Sequence, residues 1–298
     1  MVPTSRRRFV ILALVLVCLL GGAGYFFFVS PEEEITERPE VLPDVPKKSE
    51  VRHNVIGTSV EGRNIDAYTY GDGQKRLLFV GGIHGGYEWN SVLLAYTFMD
   101  YLAKDLSVIP DNLSITVIPS LNPDGVYKIT GKEGFFTRAD VTEDGVSAAA
   151  ARFNANGVDL NRNFDCKWQP ESMWRGNIVS AGTAAFSEPE AQALRNFVLE
   201  HDPVGVVFWH SQSNAVYASE CEDGILPTTR EIMTAYATAA QYPAVDVFDA
   251  YEITGDAEGW LASIGIPAIT VELSTHETVE WERNRAGSMS LIEYFSAR

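Results

Sequence analysis

The sequence predicts an α/β fold: a single domain with a mixed, mainly parallel central sheet flanked by helices, preceded by an N-terminal transmembrane helix. Three observations predict it. Short apolar runs recur at Leu77–Ile83, Ile115–Ile118, Val204–Trp209 and Ala268–Leu273. Helix-period patterns fall between or beside them, at Ser91–Leu106, Glu188–Glu200, Thr229–Gln241 and Ala257–Ile264. Strands that alternate with helices are joined most simply by crossovers, which makes the sheet mainly parallel. At the front, an uncharged stretch of 21 residues runs from Phe9 to Val29.

Residues 1–30 are expected to form the membrane anchor. At about 1.5 Å per residue the uncharged stretch covers roughly 30 Å, the thickness of a bilayer core. Arg6-Arg7-Arg8 precedes it and acids follow it, so the positive-inside rule orients the C-terminal bulk outside the cytoplasm, as a single-pass protein of the cell membrane. The alternative is a signal peptide cleaved near Gly22-Ala23-Gly24, leaving a secreted protein. The apolar run continues through Tyr25-Phe26-Phe27-Phe28-Val29, longer than a usual signal core, and favours the anchor.

Residues 31–50 are rich in Pro and Glu without apolar periodicity, as an extended, solvated linker is. Subtracting the linker's seven acids and three bases, and the three N-terminal arginines, from the chain's 40 acids and 23 bases leaves residues 51–298 with 33 acids and 17 bases, a net of −16. That charge argues against nucleic acid as a partner and favours cationic substrates. Outside the membrane disulfides are permitted, and a Cys166–Cys221 bridge is favoured over two buried free thiols.

Residues 51–298 form the predicted domain. His53–Tyr70 alternates around Glu61-Gly62, a hairpin signal. Ser187-Glu188-Pro189-Glu190 reads as a helix start with Ser187 as cap and Glu190 closing the box. In open α/β sheets, sites lie beyond the carboxyl ends of the strands. His84, Asn122, His210 and Glu272 all fall at or near such ends.

These positions carry coherent chemistry. Two strand-end histidines, His84 and His210, with Glu88 make a three-ligand set that suits zinc with an open fourth position. Taken singly, Glu88 is equally an early-helix acid favoured by the helix dipole, and His210 a buried histidine satisfied by hydrogen bonds. Asp159 can accept from the outer nitrogen of a ligand histidine and fix its tautomer. Asn161 and Arg162, with Arg152, offer forked donors for a carboxylate. Glu272, inside a β-branched strand, is costly to bury unless paired or functional; in a zinc hydrolase such a group takes a proton from water and returns it to the leaving amine. Tyr251 is a hydroxyl donor or a rim aromatic.

Together these pieces resemble the zinc metallocarboxypeptidases, the carboxypeptidase A/B-like family M14, over roughly Val55 to Leu273. They occur in family order: Gly57 to Arg63, Gly82-Ile83-His84, Asn122-Pro123-Asp124-Gly125, Arg152-Phe153-Asn154, Gly157 to Asn163, His210-Ser211, Tyr251 and Thr270-Val271-Glu272-Leu273. The resemblance implies one zinc ion on His84, Glu88 and His210, with Asp159 behind His84. It implies Arg152 steadying the oxyanion, Asn161 and Arg162 clamping the terminal carboxylate, Tyr251 closing over the substrate and Glu272 as general base and acid. Glu258 aligns with the base of the side-chain pocket, where an acid matches a basic or amine-bearing terminal residue; Asp256 is a rival for that position. One departure is His84-Gly85-Gly86-Tyr87-Glu88, a residue longer than the family's His-x-x-Glu, which the paired glycines must absorb. The activity implied is removal of the C-terminal residue of peptides outside the cytoplasm. The alternatives are trimming of peptidoglycan stem peptides by the same fold, a zinc-dependent acyl-amino-acid deacylase and a degenerate binding module.

Overall fold

Ten strands and seven helices organise residues 51–142 and 145–298, which the computed structural model describes. Residues 1–50, where the sequence places an anchor and a linker, lie outside the described residues. Among the described residues no helix is long and apolar enough to cross a membrane.

The strands are β1 (Arg52–Thr58), β2 (Asn64–Tyr70), β3 (Lys75–Val80), β4 (Leu113–Ile118), β5 (Glu171–Trp174), β6 (Asn177–Ser180), β7 (Gly205–Ser211), β8 (Ala215–Ala218), β9 (Ala244–Val245) and β10 (Ala268–Leu273). The helices are α1 (Trp89–Lys104), α2 (Pro123–Thr130), α3 (Gly145–Ala150), α4 (Pro189–His201), α5 (Pro227–Ala240), α6 (Ala257–Ser263) and α7 (Trp281–Ser296). Eight strands form one sheet in the order β1-β2-β4-β3-β7-β10-β8-β9, and β5 pairs with β6 in a separate hairpin. The central four, β4, β3, β7 and β10, are parallel; β1, β2 and β8 add antiparallel pairs. The expected mixed, mainly parallel sheet is therefore present.

Successive strand residues face opposite sides, and both sides are apolar here because helices cover both. Leu77, Phe79, Val207, Trp209, Ile269 and Val271 pack under α1, α5 and α7, against Phe98, Tyr236 and Leu291. Leu78, Val80, Val206, Phe208 and Ala268 face the other way, toward Leu194 and Phe197 of α4 and Trp260 and Leu261 of α6. The near-continuous apolar character of β3, β4 and β7 follows from this double burial.

Two local expectations need correction. Glu188, not Ser187, occupies the N-cap of α4, and no side-chain bond closes a capping box. Ser187 Oγ instead donates to Glu188 Oε1, while Glu190 accepts from Val60 N and Asn154 Nδ2. Ser187 Oγ also accepts from Asn163 Nδ2, so tertiary partners draw both side chains away from the helix end. The Cys166–Cys221 bridge is formed, with Cα atoms 6.0 Å apart.

Candidate active site

Strand parity places the site. His210 shares the face of Val206 and Phe208, and Glu272 lies beside it in the parallel β7–β10 register. Both side chains thus emerge at the carboxyl end of the sheet on the side covered by α6. His84 follows β3 through a Gly81-Gly82 turn in which Gly82 takes φ +62, a conformation glycine adopts without strain. Asn122, just beyond β4, caps α2 by accepting from Gly125 N, and its amide donates to Arg152 O. The Asn122–Gly125 motif therefore helps to hold Arg152. Asp124, next along, accepts from Ser59 Oγ at 2.6 Å and Arg63 Nη1 at 2.7 Å, which ties the β1–β2 turn to the same scaffold.

The extra residue between His84 and Glu88 is taken up by a 3-10 turn over Gly85–Glu88. A side chain at Gly85 would stand 2.6 Å from Ala151 O, and one at Gly86 would stand 2.6 Å from Gly125 O. Only glycines let the turn pack so closely, and this compact path delivers Glu88 to the histidines. Glu88 Oε2 lies 3.1 Å from His210 Nδ1. One ligand atom from each of His84, Glu88 and His210 lies within 4.8 Å of the others, all three residues being buried. Ligand atoms about 2.0–2.1 Å from a tetrahedral zinc stand roughly 3.3 Å apart, so the Glu88–His210 separation is that of two groups sharing an ion. Two imidazoles and a carboxylate fit zinc as a donor set.

Carboxylates stand behind both histidines. Asp159 Oδ1 is 3.4 Å from His84 Nδ1, and its Oδ2 accepts from Arg152 Nε at 2.9 Å. Burial alone would raise the Asp159 pKa, but the charges of Arg152 and His84 hold it well below the carboxylate range. His210 Nε2 meets Glu258 Oε1 at 3.0 Å, and that oxygen also accepts from Thr270 Oγ1 at 3.1 Å. The sequence reading aligns Glu258 with the base of the side-chain pocket; in the structure it lines the cleft, and one carboxylate oxygen is at the same time turned onto His210. Asp256 lines the same cleft, with one oxygen accepting from Gly259 N as the cap of α6. Burial and the neighbouring Glu258 push its pKa up to about 6.

Desolvation opposes protonation of His210, yet Glu88 and Glu258 on either side raise its pKa well above that of free imidazole. For His84, burial and Arg152 lower it to about 4. Glu272 is pushed up to about 7 by burial and by repulsion from Glu88, against the pull of His210 and a hydrogen bond from Ser213 N. A buried carboxyl beside His210 in the β7–β10 register, lining the same cleft, is placed to exchange a proton.

These groups open onto a cleft of about 460 Å³. Arg152 is 3% exposed and Arg162 2%, so both guanidinium groups are desolvated. Arg162 donates to the carbonyls of Asn161 and Met173, keeps a buried Nε without a partner, and has no acid partner among the described residues. Such a guanidinium is ready for a carboxylate. Asn161 lines the cleft, and its Oδ1 accepts from Ala257 N at the start of α6. Tyr251 lines the cleft, packed against Phe248; burial raises its phenol pKa, and the nearby Arg162 and Arg152 act against that rise.

Sequence reading missed one wall. Trp174 of β5 lies under the Arg152 guanidinium at 4.5 Å, and Tyr87 packs edge-on to both Trp174 and His276. Arg175, at the hairpin tip, donates to Tyr87 Oη at 2.9 Å. The available signal was the Trp-Arg-Gly-Asn turn between two short alternating segments.

Comparison with known proteins agrees with this geometry. The zinc carboxypeptidase family model matches residues 46–282. The chain is 25% identical to γ-D-glutamyl-L-diamino acid endopeptidase 1 of Lysinibacillus sphaericus over 240 residues, covering 74% of this chain and 60% of that protein. It is 28% identical to carboxypeptidase B of Helicoverpa zea over 260 residues, covering 78% of this chain and 59% of the relative. The chain thus spans about three fifths of these relatives' length. Among solved structures, murein-tripeptide amidase of Escherichia coli O157 superposes with a TM-score of 0.58 at 23% identity, over 83% of this chain and 92% of the other. With the family model covering most of the domain, the chain belongs to the zinc carboxypeptidase family.

Proposed function

We propose that the protein is a zinc-dependent carboxypeptidase that releases a terminal diamino acid from peptides outside the cytoplasm, with peptidoglycan stem peptides as its natural class. The observation that carries this reading is the pairing, in one cleft, of a desolvated guanidinium without an acid partner (Arg162) and an acid at the α6 cap (Asp256). The first suits the carboxylate of the released residue; the second suits an amine on its side chain. A γ-D-glutamyl-L-diamino acid peptidase and a murein-tripeptide amidase among the similar proteins support the same class. The apolar stretch Phe9–Val29 behind three arginines supports action at the outer face of a membrane, from an anchored or secreted protein.

His84, Glu88 and His210 would hold the zinc. When bound there it supplies Lewis-acid polarisation of the scissile carbonyl and a water of lowered pKa. Arg162 and Asn161 orient the terminal carboxylate, which restricts cleavage to the last bond. Arg152, held by Asp159 and by Asn122 through its backbone, presents its guanidinium to the oxygen on which negative charge develops. Glu272 accepts the proton of the attacking water and returns it to the leaving amine. Tyr251 covers the released residue. Glu258 and Asp159 fix the two histidines from behind.

The test is hydrolysis by the zinc-loaded protein of L-Ala-γ-D-Glu-L-Lys, L-Ala-γ-D-Glu-meso-diaminopimelate, hippuryl-Lys and hippuryl-Phe, followed by chromatography of the released amino acid. Release of the diamino acids should be fastest and of Phe slowest. Preference for hippuryl-Phe with both γ-linked tripeptides left intact overturns the reading.

A further inference from the structure

We propose that Arg175 recognises a carboxylate on the acyl side of the scissile bond, namely the α-carboxylate that a γ-linked glutamyl residue carries beside the bond to be cut. This rests on the γ-glutamyl reading given above. The hairpin pairs Trp174 with Asn177, so its turn is the dipeptide Arg175-Gly176, with φ +50 and +83. Two left-handed residues at a two-residue hairpin turn favour Asn-Gly or Gly-Gly. An arginine in the first position costs on the order of 1 kcal/mol relative to those choices. The turn itself gains nothing from that residue; what Arg175 adds is a guanidinium at the mouth of the cleft.

That guanidinium is poised rather than neutralised. Its Nη1 donates to Tyr87 Oη at 2.9 Å, and it has no acid partner among the described residues. Several exposed arginines, among them Arg52, Arg230 and Arg298, hold an acid. Arg76 and Arg195 also have only neutral partners, but they stand away from the cleft, whereas Arg175 lines it, where a substrate can bring the anion. The order of contacts along the hairpin sets where that anion sits. Met173 O binds Arg162, the group assigned to the terminal carboxylate, and Trp174 carries Arg152, beside the scissile carbonyl. Arg175 comes next and reaches Tyr87, the neighbour of the metal-ligating Glu88. The sequence Arg162, Arg152, Arg175 thus follows a substrate from its released carboxylate, through the reacting carbonyl, to the acyl residue. A γ-linked glutamyl residue presents an anion there; an ordinary α-linked residue with a neutral side chain does not. The planar fork of arginine suits a carboxylate in two-point contact.

The experiment compares kcat/KM of the zinc-loaded full chain on L-Ala-γ-D-Glu-L-Lys and on the same peptide with the glutamyl α-carboxylate amidated. Wild type should prefer the free acid by about tenfold or more, the scale of one hydrogen-bonded charge contact. Arg175→Asn places a favoured residue in the turn, so its melting temperature should be unchanged or higher. It should lose about tenfold on the acid and remain within about twofold on the amide, with Arg175→Lys between the two. Equal effects on both peptides, no effect on either, or a wild type indifferent to amidation overturns the proposal. If neither γ-linked peptide is cut but hippuryl-Lys is, the γ-glutamyl reading falls separately. Arg175 is then judged on benzoyl-Glu-Lys against benzoyl-Gln-Lys, where a preference for Glu erased by Arg175→Asn sustains it and parity overturns it. Failure to hydrolyse any of these substrates overturns both.

Discussion

Replacing Glu258 should weaken zinc binding although Glu258 is not among the metal's ligands. Its Oε1 receives His210 Nε2 at 3.0 Å and the Thr270 hydroxyl at 3.1 Å, and the residue is buried. Glu258→Ala removes the group that orients the imidazole and raises its basicity, an effect of about 10–100-fold in metal affinity. It also strands the buried His210 nitrogen, at a cost of about 1–3 kcal/mol of stability, and frees the half-buried Thr270 hydroxyl. A second effect runs the other way. Glu88 and Glu258 together favour the protonated form of His210, and protons compete with metal for an imidazole nitrogen. Losing Glu258 lowers that pKa, eases the competition and partly offsets the loss near neutral pH. The two effects separate with pH: in alkaline buffer proton competition fades and only orientation and basicity remain. Zinc affinity should therefore be measured by chelator competition at neutral and at alkaline pH, with thermal unfolding of the apo protein alongside. The deficit of Glu258→Ala should grow as pH rises, and Glu258→Gln, which keeps an oxygen acceptor, should lie closer to wild type. An affinity for Glu258→Ala equal to wild type in alkaline buffer would refute the role assigned to this carboxylate.

Other perturbations address the remaining parts of the site. In the proposed mechanism Glu272 works deprotonated, so kcat/KM should fall as pH drops through its pKa; that value is about 7 without metal, and the charge of zinc should draw it down toward the ordinary 4.5. Glu272→Gln should bind zinc stoichiometrically by metal analysis while losing activity by about 10²–10⁴-fold; near-wild-type turnover would remove Glu272 from the mechanism. Arg162→Ala should cost about 10–100-fold in kcat/KM on free-acid peptides and little on C-terminally amidated ones, a contrast visible in parallel progress curves. Because Cys166 and Cys221 are 55 residues apart, the double Cys→Ala variant should be less stable by about 4 kcal/mol in denaturant titration on the loop-entropy estimate. Indifference to reduction and to that substitution would show that the bridge does not constrain the unfolded chain.

Much of the framework was legible because its signals are local. Double burial leaves β3, β4, β7 and β10 as apolar runs, and a histidine or glutamate at the end of such a run stands out against its neighbours. The helices α1, α4, α5 and α6 carry enough apolar periodicity to be seen, whereas α7, with Trp281, Leu291, Ile292 and Phe295 dispersed among polar residues, escaped notice. Also missed were β8 and β9, strands of four and two residues too short to establish a period.

By itself the sequence determined the alternating architecture, the donor types His84, Glu88 and His210, and the presence of Arg152, Arg162 and Glu272 at strand ends or in polar turns, since each depends on residue type and near neighbours. Tertiary structure alone decided how those groups meet. It showed that the Gly85-Gly86 turn brings Glu88 to 3.1 Å from His210 despite the added residue. It set Glu258, a residue of the cleft lining, against the back of a histidine as well, and it carried Trp174 and Arg175 from an unremarked hairpin to the Arg152 guanidinium and Tyr87. Partner choice among distant side chains depends on how separate segments pack, and spacing along the chain carries no record of that packing.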